Sequence, residues 1–341
     1  MPSQPCCPVC SSARGHVLYT VDSAQAAQHY VLAEVDPRRH AALKEHIERI
    51  WRQPTCDIVE CADCGFCFAH PFAAGDSRFY ELAYQRTGYP AWKWEYERTL
   101  RSLIALKRER LLDDFALLEI GAGDGAFVRR IAPALTGRHR VLCTEFSDFG
   151  RKAIEAYGIE CRPEDIRDLN DDACHDRFDV VCMFQVLEHM DRLDAVFEQI
   201  GVLTRSRAHL FVAVPNPARI AFNERNGSLL DMPPNHVGRW TRRSLQTIAG
   251  RHGWRELAHE IEPETAARKL RQYAAYRYLR TSQRPTSLAN RIERLRTRTI
   301  RAPLKIATAA LYTAASLPEI RTLLFAADMG DSQWAHFQRI A

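Results

Sequence analysis

No stretch of this chain reaches the run of about 18 apolar residues that a membrane-crossing helix needs. The nearest, APLKIATAALYTAASLP (302–318), is interrupted by Lys305 and bounded by prolines, which points to a buried or interfacial helix. An excess of one charge is also lacking: 47 Lys and Arg face 42 Asp and Glu, a formal +5 over 341 residues. That balance does not by itself call for nucleic acid. No repeat of solenoid period is visible. The opening MPSQPCCPVC lacks the charged-then-apolar pattern of a secretory signal, so a cytoplasmic protein is expected. In a reducing compartment, eleven cysteines argue against a disulfide framework and for metal binding or plain core use. What remains is an ordinary globular composition, 46% apolar and 26% charged, long enough for one large domain and a small one.

Three stretches follow from a pass along the chain. Residues 1–75 carry cysteines at both ends around a charged helical segment (37–53), and read as a small metal-binding module. Residues 76–114 read as a helical, aromatic linker or lid, with Phe79, Tyr80, Tyr84, Tyr89, Trp92, Trp94 and Tyr96. From 115 to 341 short apolar runs alternate with helix-length segments: FALLEI, HRVLCTEF, FDVVCMF, AHLFVAVP and WRELAHEIE, then SQWAHFQRI at the end. Strands alternating with helices imply crossover units and a largely parallel sheet, an α/β fold. A basic helical insertion, 264–328, interrupts the rhythm before the last strand.

CPVC and CADC are two C-x-x-C hooks, Cys7 with Cys10 and Cys61 with Cys64. Four thiolates suit a tetrahedral zinc of the closed, structural kind. The second hook continues into Gly65, which allows the tight turn that aims backbone amides at sulfur. Fifty residues lie between the hooks, more than a minimal zinc ribbon needs, so the helical segment between them would be an insertion. Cys6, Cys56, Cys67 and His70 are the alternates. Redox use is disfavoured because neither hook opens a helix in a thioredoxin-like setting.

The stretch LLEIGAGDGAF (117–127) runs a buried strand into a glycine turn. GAGDGA also satisfies G-x-G-x-x-G/A, so the loop alone admits a dinucleotide enzyme as well as one using S-adenosylmethionine. The two ligands differ in what they ask of a pocket. A dinucleotide rests its pyrophosphate on a helix N-terminus. A sulfonium donor has no pyrophosphate and needs carboxylates at several points. Glu119 precedes the first glycine, Glu145 ends the next strand, and Asp165 follows about one strand later. Glu145 does not discriminate, since a ribose-binding acid there is common to both classes.

Taken together, LLEIGAGDGAF, CTEFS, PEDI, FDVVCMFQVLEHM and PPNHVGRWTRRSLQTIAGRHGW resemble the class I S-adenosylmethionine-dependent methyltransferases over about 115–261 and the last strand. The resemblance implies a Rossmann-like seven-stranded sheet between helical layers, with an antiparallel last strand. It implies that Glu119, Gly121, Ala122, Gly123 and Gly125 line the donor's methionine part. Glu145 with Phe146 would meet the ribose, Asp165 with Ile166 the adenine, and Gln185 would lie near the donor. Some related quinone O-methyltransferases hold a divalent metal through acids in the stretch matching QVLEH, and Gln185 replaces one of those acids here. Methyl transfer is an in-line displacement from an already activated sulfonium, so alignment and a dry site are the protein's main contributions. An acceptor that must lose a proton needs a base, and His189 and His236 are the candidates.

The hook module resembles those preceding some sugar and antibiotic-pathway methyltransferases, which implies a small-molecule acceptor such as a sugar, nucleotide-sugar or natural-product intermediate. An RNA methyltransferase with a zinc-hook recognition module is the alternative. Nucleic acid is disfavoured because the cysteine region is not strongly basic and no base-methylation tetrapeptide follows the fourth strand. A non-catalytic binding protein is the third reading. Between Arg268 and Lys305 stand twelve Arg or Lys and one acid, an excess of eleven, so the rest of this +5 chain sums to −6. Such asymmetry suggests an anionic acceptor, a peripheral membrane contact or a dimer contact through 268–318, against the simpler reading of a solvated helical face.

Overall fold

The computed structural model describes residues 5–84, 92–112, 115–131, 140–170, 174–225, 228, 230–282, 284, 286–295, 297–316, 320–321, 324–326 and 328–340. Tyr89 of the aromatic stretch lies outside them. Three strands come first: β1 (Gly15–Asp22), β2 (Thr55–Cys61) and β3 (Cys67–His70). The remainder are β4 (Ala116–Ile120), β5 (Arg140–Thr144), β6 (Glu160–Arg162), β7 (Phe178–Phe184), β8 (Thr204–Pro215), β9 (Gly238–Arg239), β10 (Trp254–Ile261) and β11 (Ser332–Arg339).

Seven strands form one sheet in the order β10-β11-β8-β7-β4-β5-β6. β4 pairs in parallel with both β5 and β7, while β11 pairs antiparallel with β8. This is the architecture that the alternating apolar runs imply. All five residues of β4 are buried, as expected of a central strand covered on both faces. Alternate residues feed two separate cores. Leu118, Val181, Met183 and Val212 join one, and Leu117, Val180, Phe211 and Trp334 the other. The chain winds outward from β4 through β5 to β6, then returns to β7 on β4's other side. The strand order therefore reverses at β4, and the crevice beyond the carboxyl ends of β4 and β7 is where such sheets bind ligands.

A second sheet, β1-β2-β3-β9, is antiparallel where its registers are defined. Its first three strands carry the cysteine hooks. Its fourth is the two-residue β9, which pairs Arg239 with Cys67 and Gly238 with Phe68. Gly238 is needed there, because a Cβ would fall 2.7 Å from the Phe66 ring. The charged segment between the hooks is the helix Pro37–Trp51, started by Asp36, whose carboxylate accepts from the Arg39 amide.

The chain divides into two compact units. One comprises 1–215, 232–260 and 332–341, and so contains both sheets. The other comprises 216–231 and 261–331. Within the second, the helices Pro217–Arg225, Ala266–Ser282, Leu288–Glu293 and Arg298–Ala314 pack around two small clusters, Phe222/Tyr273/Ile320/Met329 and Tyr278/Ala289/Ile292. Arg219 is buried between Glu264 and Asp331. Among the described residues no helix is long and apolar enough to cross a membrane.

Candidate active site

β4 ends in a turn where Gly121, Gly123 and Gly125 all have positive φ, +67°, +61° and +76°. Side chains rarely adopt this region, so the three positions call for glycine. Space is short as well: a Cβ on Gly121 would lie 2.6 Å from Val186, and one on Gly150 would lie 2.3 Å from the Gly123 carbonyl oxygen. Gly150 sits in the helix Asp148–Glu155, which thereby presses against the glycine turn.

Glu119, the fourth residue of β4, is buried, and its Oε2 has no hydrogen-bond partner. Burial pushes its carboxyl up to about 8, with Glu145 and Asp124 adding to the rise and the Val128 amide and Lys93 opposing it. Glu145 follows β5 and is held by two backbone amides, Gly123 and Ser147, both at 2.8 Å. Burial still raises it, against those hydrogen bonds. Phe146 beside it is exposed. Ala122 is buried, and its amide donates to the Thr144 carbonyl at 3.0 Å, which ties the turn to β5.

Asp165 caps the short 3-10 turn Ile166–Asp168 and takes a two-pronged ion pair from Arg167, which also reaches Asp191 at 2.7 Å. Burial works to raise Asp165, but hydrogen bonds from Arg167 outweigh it and hold the carboxyl below its usual range. Ile166 is buried in the sheet's core. Gln185, directly after β7, has φ +60°, an uncommon conformation for a non-glycine residue. Its amide donates to the Ala213 carbonyl, and its side chain donates to Glu95 at 3.3 Å and Ser332 at 3.1 Å.

The two candidate bases meet. His189 closes the 3-10 turn Leu187–His189 after β7, and its ring stands edge-on to His236 with centroids 4.7 Å apart. His189 Nδ1 lies 2.7 Å from the Asn235 carbonyl, which only accepts. Nδ1 therefore carries the proton and Nε2 the lone pair. The Tyr80 hydroxyl lies 3.2 Å from the same Nδ1. Removal from water pushes His189 down to about 3, and His236 adds to the fall while the Asn235 carbonyl opposes it. The ring is neutral at working pH, and its side chain stays 25% exposed, enough for a ligand to reach it. Buried Glu188 completes the group: one donor atom from each of Glu188, His189 and His236 lies within 4.8 Å of the others, close enough to share a proton or a cation. Gln185 is not part of this cluster.

The zinc hooks converge. Cys7 Sγ lies 3.6 Å from Cys64 Sγ, and Cys10 Sγ 3.5 Å from Cys61 Sγ. All four lie within 4.8 Å of one another. Bonds of about 2.3 Å to a tetrahedral ion would set sulfurs about 3.8 Å apart, so the donor set fits zinc. Hydrogen bonding from Cys64 holds the Cys7 thiol down near 5, whereas burial pushes Cys10 up to about 11. Cys6, Cys56, Cys67 and His70 stand outside the cluster. The hook sheet reaches the histidines through the backbone. The Ala69 amide donates to the Val237 carbonyl, and the Val237 amide to the Glu188 carbonyl, both at 2.9 Å.

Residues 93–259 match the model of a methyltransferase domain family. The chain is an S-adenosylmethionine-dependent methyltransferase. No curated protein sequence matches the methyltransferase significantly. Among solved structures it is similar to a SAM-dependent methyltransferase from Archaeoglobus fulgidus, with 14% identity, 70% of this chain and 94% of that one covered, and a TM-score of 0.43. It is also similar to the N-methyltransferase NodS from Bradyrhizobium japonicum in complex with S-adenosyl-L-homocysteine, with 12% identity, 72% and 87% covered, and a TM-score of 0.39.

The methyltransferase's candidate site also contains residues that the sequence did not mark. Tyr80 stood in an aromatic stripe whose plain reading is packing. That reading holds for Tyr96, buried against Phe127 and Phe184, but Tyr80 faces His189. Tyr84 reaches Asn235 Oδ1 at 3.5 Å. Gly150 carried no signal, since one glycine inside a helix has no pattern to betray its contact.

Proposed function

We propose that this enzyme methylates a small molecule, a sugar, nucleotide-sugar or natural-product intermediate, at oxygen or nitrogen. The donor lies beyond the ends of β4 and β7, with Glu119 and Gly121, Ala122, Gly123 and Gly125 around its methionine part. Two observations fit a cationic ligand there: a buried carboxylate oxygen without a partner, and a turn too crowded for any side chain. Glu145 and Phe146 serve the ribose, and Asp165 and Ile166 the adenine end, with Asp165 oriented by Arg167. Gln185 is fixed by Glu95 and Ser332 at the boundary between donor and acceptor.

S-adenosylmethionine supplies a methyl group already activated by its sulfonium charge. The chain's own work is on the acceptor. Asn235 and Tyr80 fix His189 with Nε2 open, and the His189/His236 pair accepts the proton that the acceptor gives up. Glu188 steadies the charge then formed on the imidazoles. We assign the four-thiol cluster a structural zinc whose sheet braces the His236 loop. The observation that carries the small-molecule reading is this bracing. Through Val237 the hook sheet is stitched to the loop between the two histidines, which makes it a wall of the acceptor pocket and not a detached recognition module.

Calorimetric titration with S-adenosylmethionine, followed by a mass-spectrometric screen of nucleotide-sugars and related metabolites for one-methyl gain, tests this. Saturable donor binding and a methylated metabolite are expected. Methylation of RNA with salt-sensitive binding would replace the substrate reading. Tight binding of NAD or FAD with indifference to the sulfonium would end the donor assignment.

A further inference from the structure

In the smaller unit, the helix Arg298–Ala314 turns its apolar side outward. At 3.6 residues per turn, Ile300, Leu304, Ala307, Leu311 and Ala314 share one face, with Ile306 at its edge. All six are exposed, Ile306 by 72% and Leu311 by 60%. The polar side points inward. Lys305 pairs with Glu293 at 2.6 Å and lies over the Tyr278 ring, Thr308 is buried, and Tyr312 packs on the Tyr278/Ala289/Ile292 cluster. A surface helix in water normally does the reverse. A continuous exposed apolar face marks a place where something docks.

Charge identifies the occupant. The chain leading into the helix carries Arg291, Arg294 and Arg298, all exposed. The first turn holds no acid, and the cap residue Thr297 makes no side-chain hydrogen bond. The positive end of the helix dipole therefore has a basic cluster beside it and no compensating anion. Apolar residues on one face with arginines at one end suit a surface of anionic headgroups over acyl chains. A second copy of the chain suits it less, since pairing this face with itself brings two basic clusters together. We propose that the helix Arg298–Ala314 docks this enzyme on an anionic lipid surface, lying in the interface without crossing it.

Flotation of the full-length protein with phosphatidylcholine vesicles, with and without phosphatidylglycerol, tests the proposal. Binding is expected only with phosphatidylglycerol, weakening as salt rises. Leu304→Glu with Leu311→Glu should weaken it by at least about tenfold per leucine. Arg294→Gln and Arg298→Gln should each weaken it by about fivefold. These are surface positions, so the thermal midpoint should stay at the parent's value, and the arginine pair decides the matter if the leucine variant fails to fold. No binding to phosphatidylglycerol vesicles, or equal binding to neutral ones, overturns the proposal. So does concentration-dependent dimerisation that the leucine variant abolishes without any vesicle binding, which would give the face to a second copy.

Discussion

Two buried groups of ionisable side chains lie in the larger unit, and they are finished to different degrees. The four thiols face only one another, and backbone amides of Val9, Cys10, Phe66 and Ser12 point at three of them. Around β4 and β7 the polar groups are left incomplete: Glu119 keeps an oxygen without a partner, and His189 keeps a lone pair beside a partly open space. A buried polar group without a partner is costly. A closed set of ligands suits a structural ion, whereas an open set suits a ligand that comes and goes. The difference separates what holds the fold from what does the chemistry.

The largest expected effect tests the closed side. Cys61→Ser with Cys64→Ser removes half the donor set, where structural zinc in small domains contributes about 10–16 kcal/mol of apparent binding energy. Limited proteolysis should then cut within 5–75 and turnover should vanish, while the seven-stranded sheet keeps its circular-dichroism signature. A variant as protease-resistant as its parent would reduce the thiols to ordinary core.

Next comes the open side. His189→Asn and His236→Asn should each lower kcat about 10²–10⁴-fold, the usual share of a general base, with donor Kd within about twofold by calorimetry. Loss of donor binding instead would move the histidines out of the acceptor's half of the site. Glu119→Gln should weaken donor binding about 10–100-fold, the worth of a charge-assisted hydrogen bond.

The pH dependence of donor binding follows from the same residue. Glu119 holds its proton up to about 8 in the free protein, and a cation favours the ionised form. Donor binding should therefore release a proton at neutral pH, and affinity should rise with pH until about 8 and then level off. Calorimetry in buffers of different ionisation heat measures this, and the Gln variant should show neither effect. Stability runs the other way. Between the unfolded carboxyl's pKa, about 4.3, and 8, the native state holds a proton that the unfolded chain has lost, so this residue's contribution declines as pH rises. His189, pushed down to about 3, has the opposite sign. Below about 6.5 the unfolded chain takes up a proton that the native state refuses, and stability falls with acidification.

The smallest effect is expected outside both groups. Cys6→Ser is exposed and off the cluster, so its thermal unfolding should shift by no more than about 0.5 kcal/mol.

How much of this was legible depended on how local the cause was. The strands of the large sheet announce themselves because burial on both faces demands continuous apolar runs such as ALLEI and FDVVCMF. The positive φ values of the glycine turn follow from the residue type, and the hooks from their spacing. β9 was illegible, since two residues have no periodicity and Gly238–Arg239 become a strand only because β3 lies beside them. Tyr80 was hidden for a similar reason: an aromatic helix face looks the same whether it meets a core or a histidine. The division of the chain was only partly legible too, because 216–231 joins 261–331 through contacts distant in sequence.

The hydrogen-bonded path from β3 through Val237 to Glu188 gives the enzyme an unusual vulnerability under the zinc assignment. A cell starved of the metal would be left with protein that still captures its sulfonium cosubstrate yet has lost the scaffold behind its proton acceptor. Scarcity of one nutrient would then appear as an idle enzyme holding S-adenosylmethionine, not as a missing one.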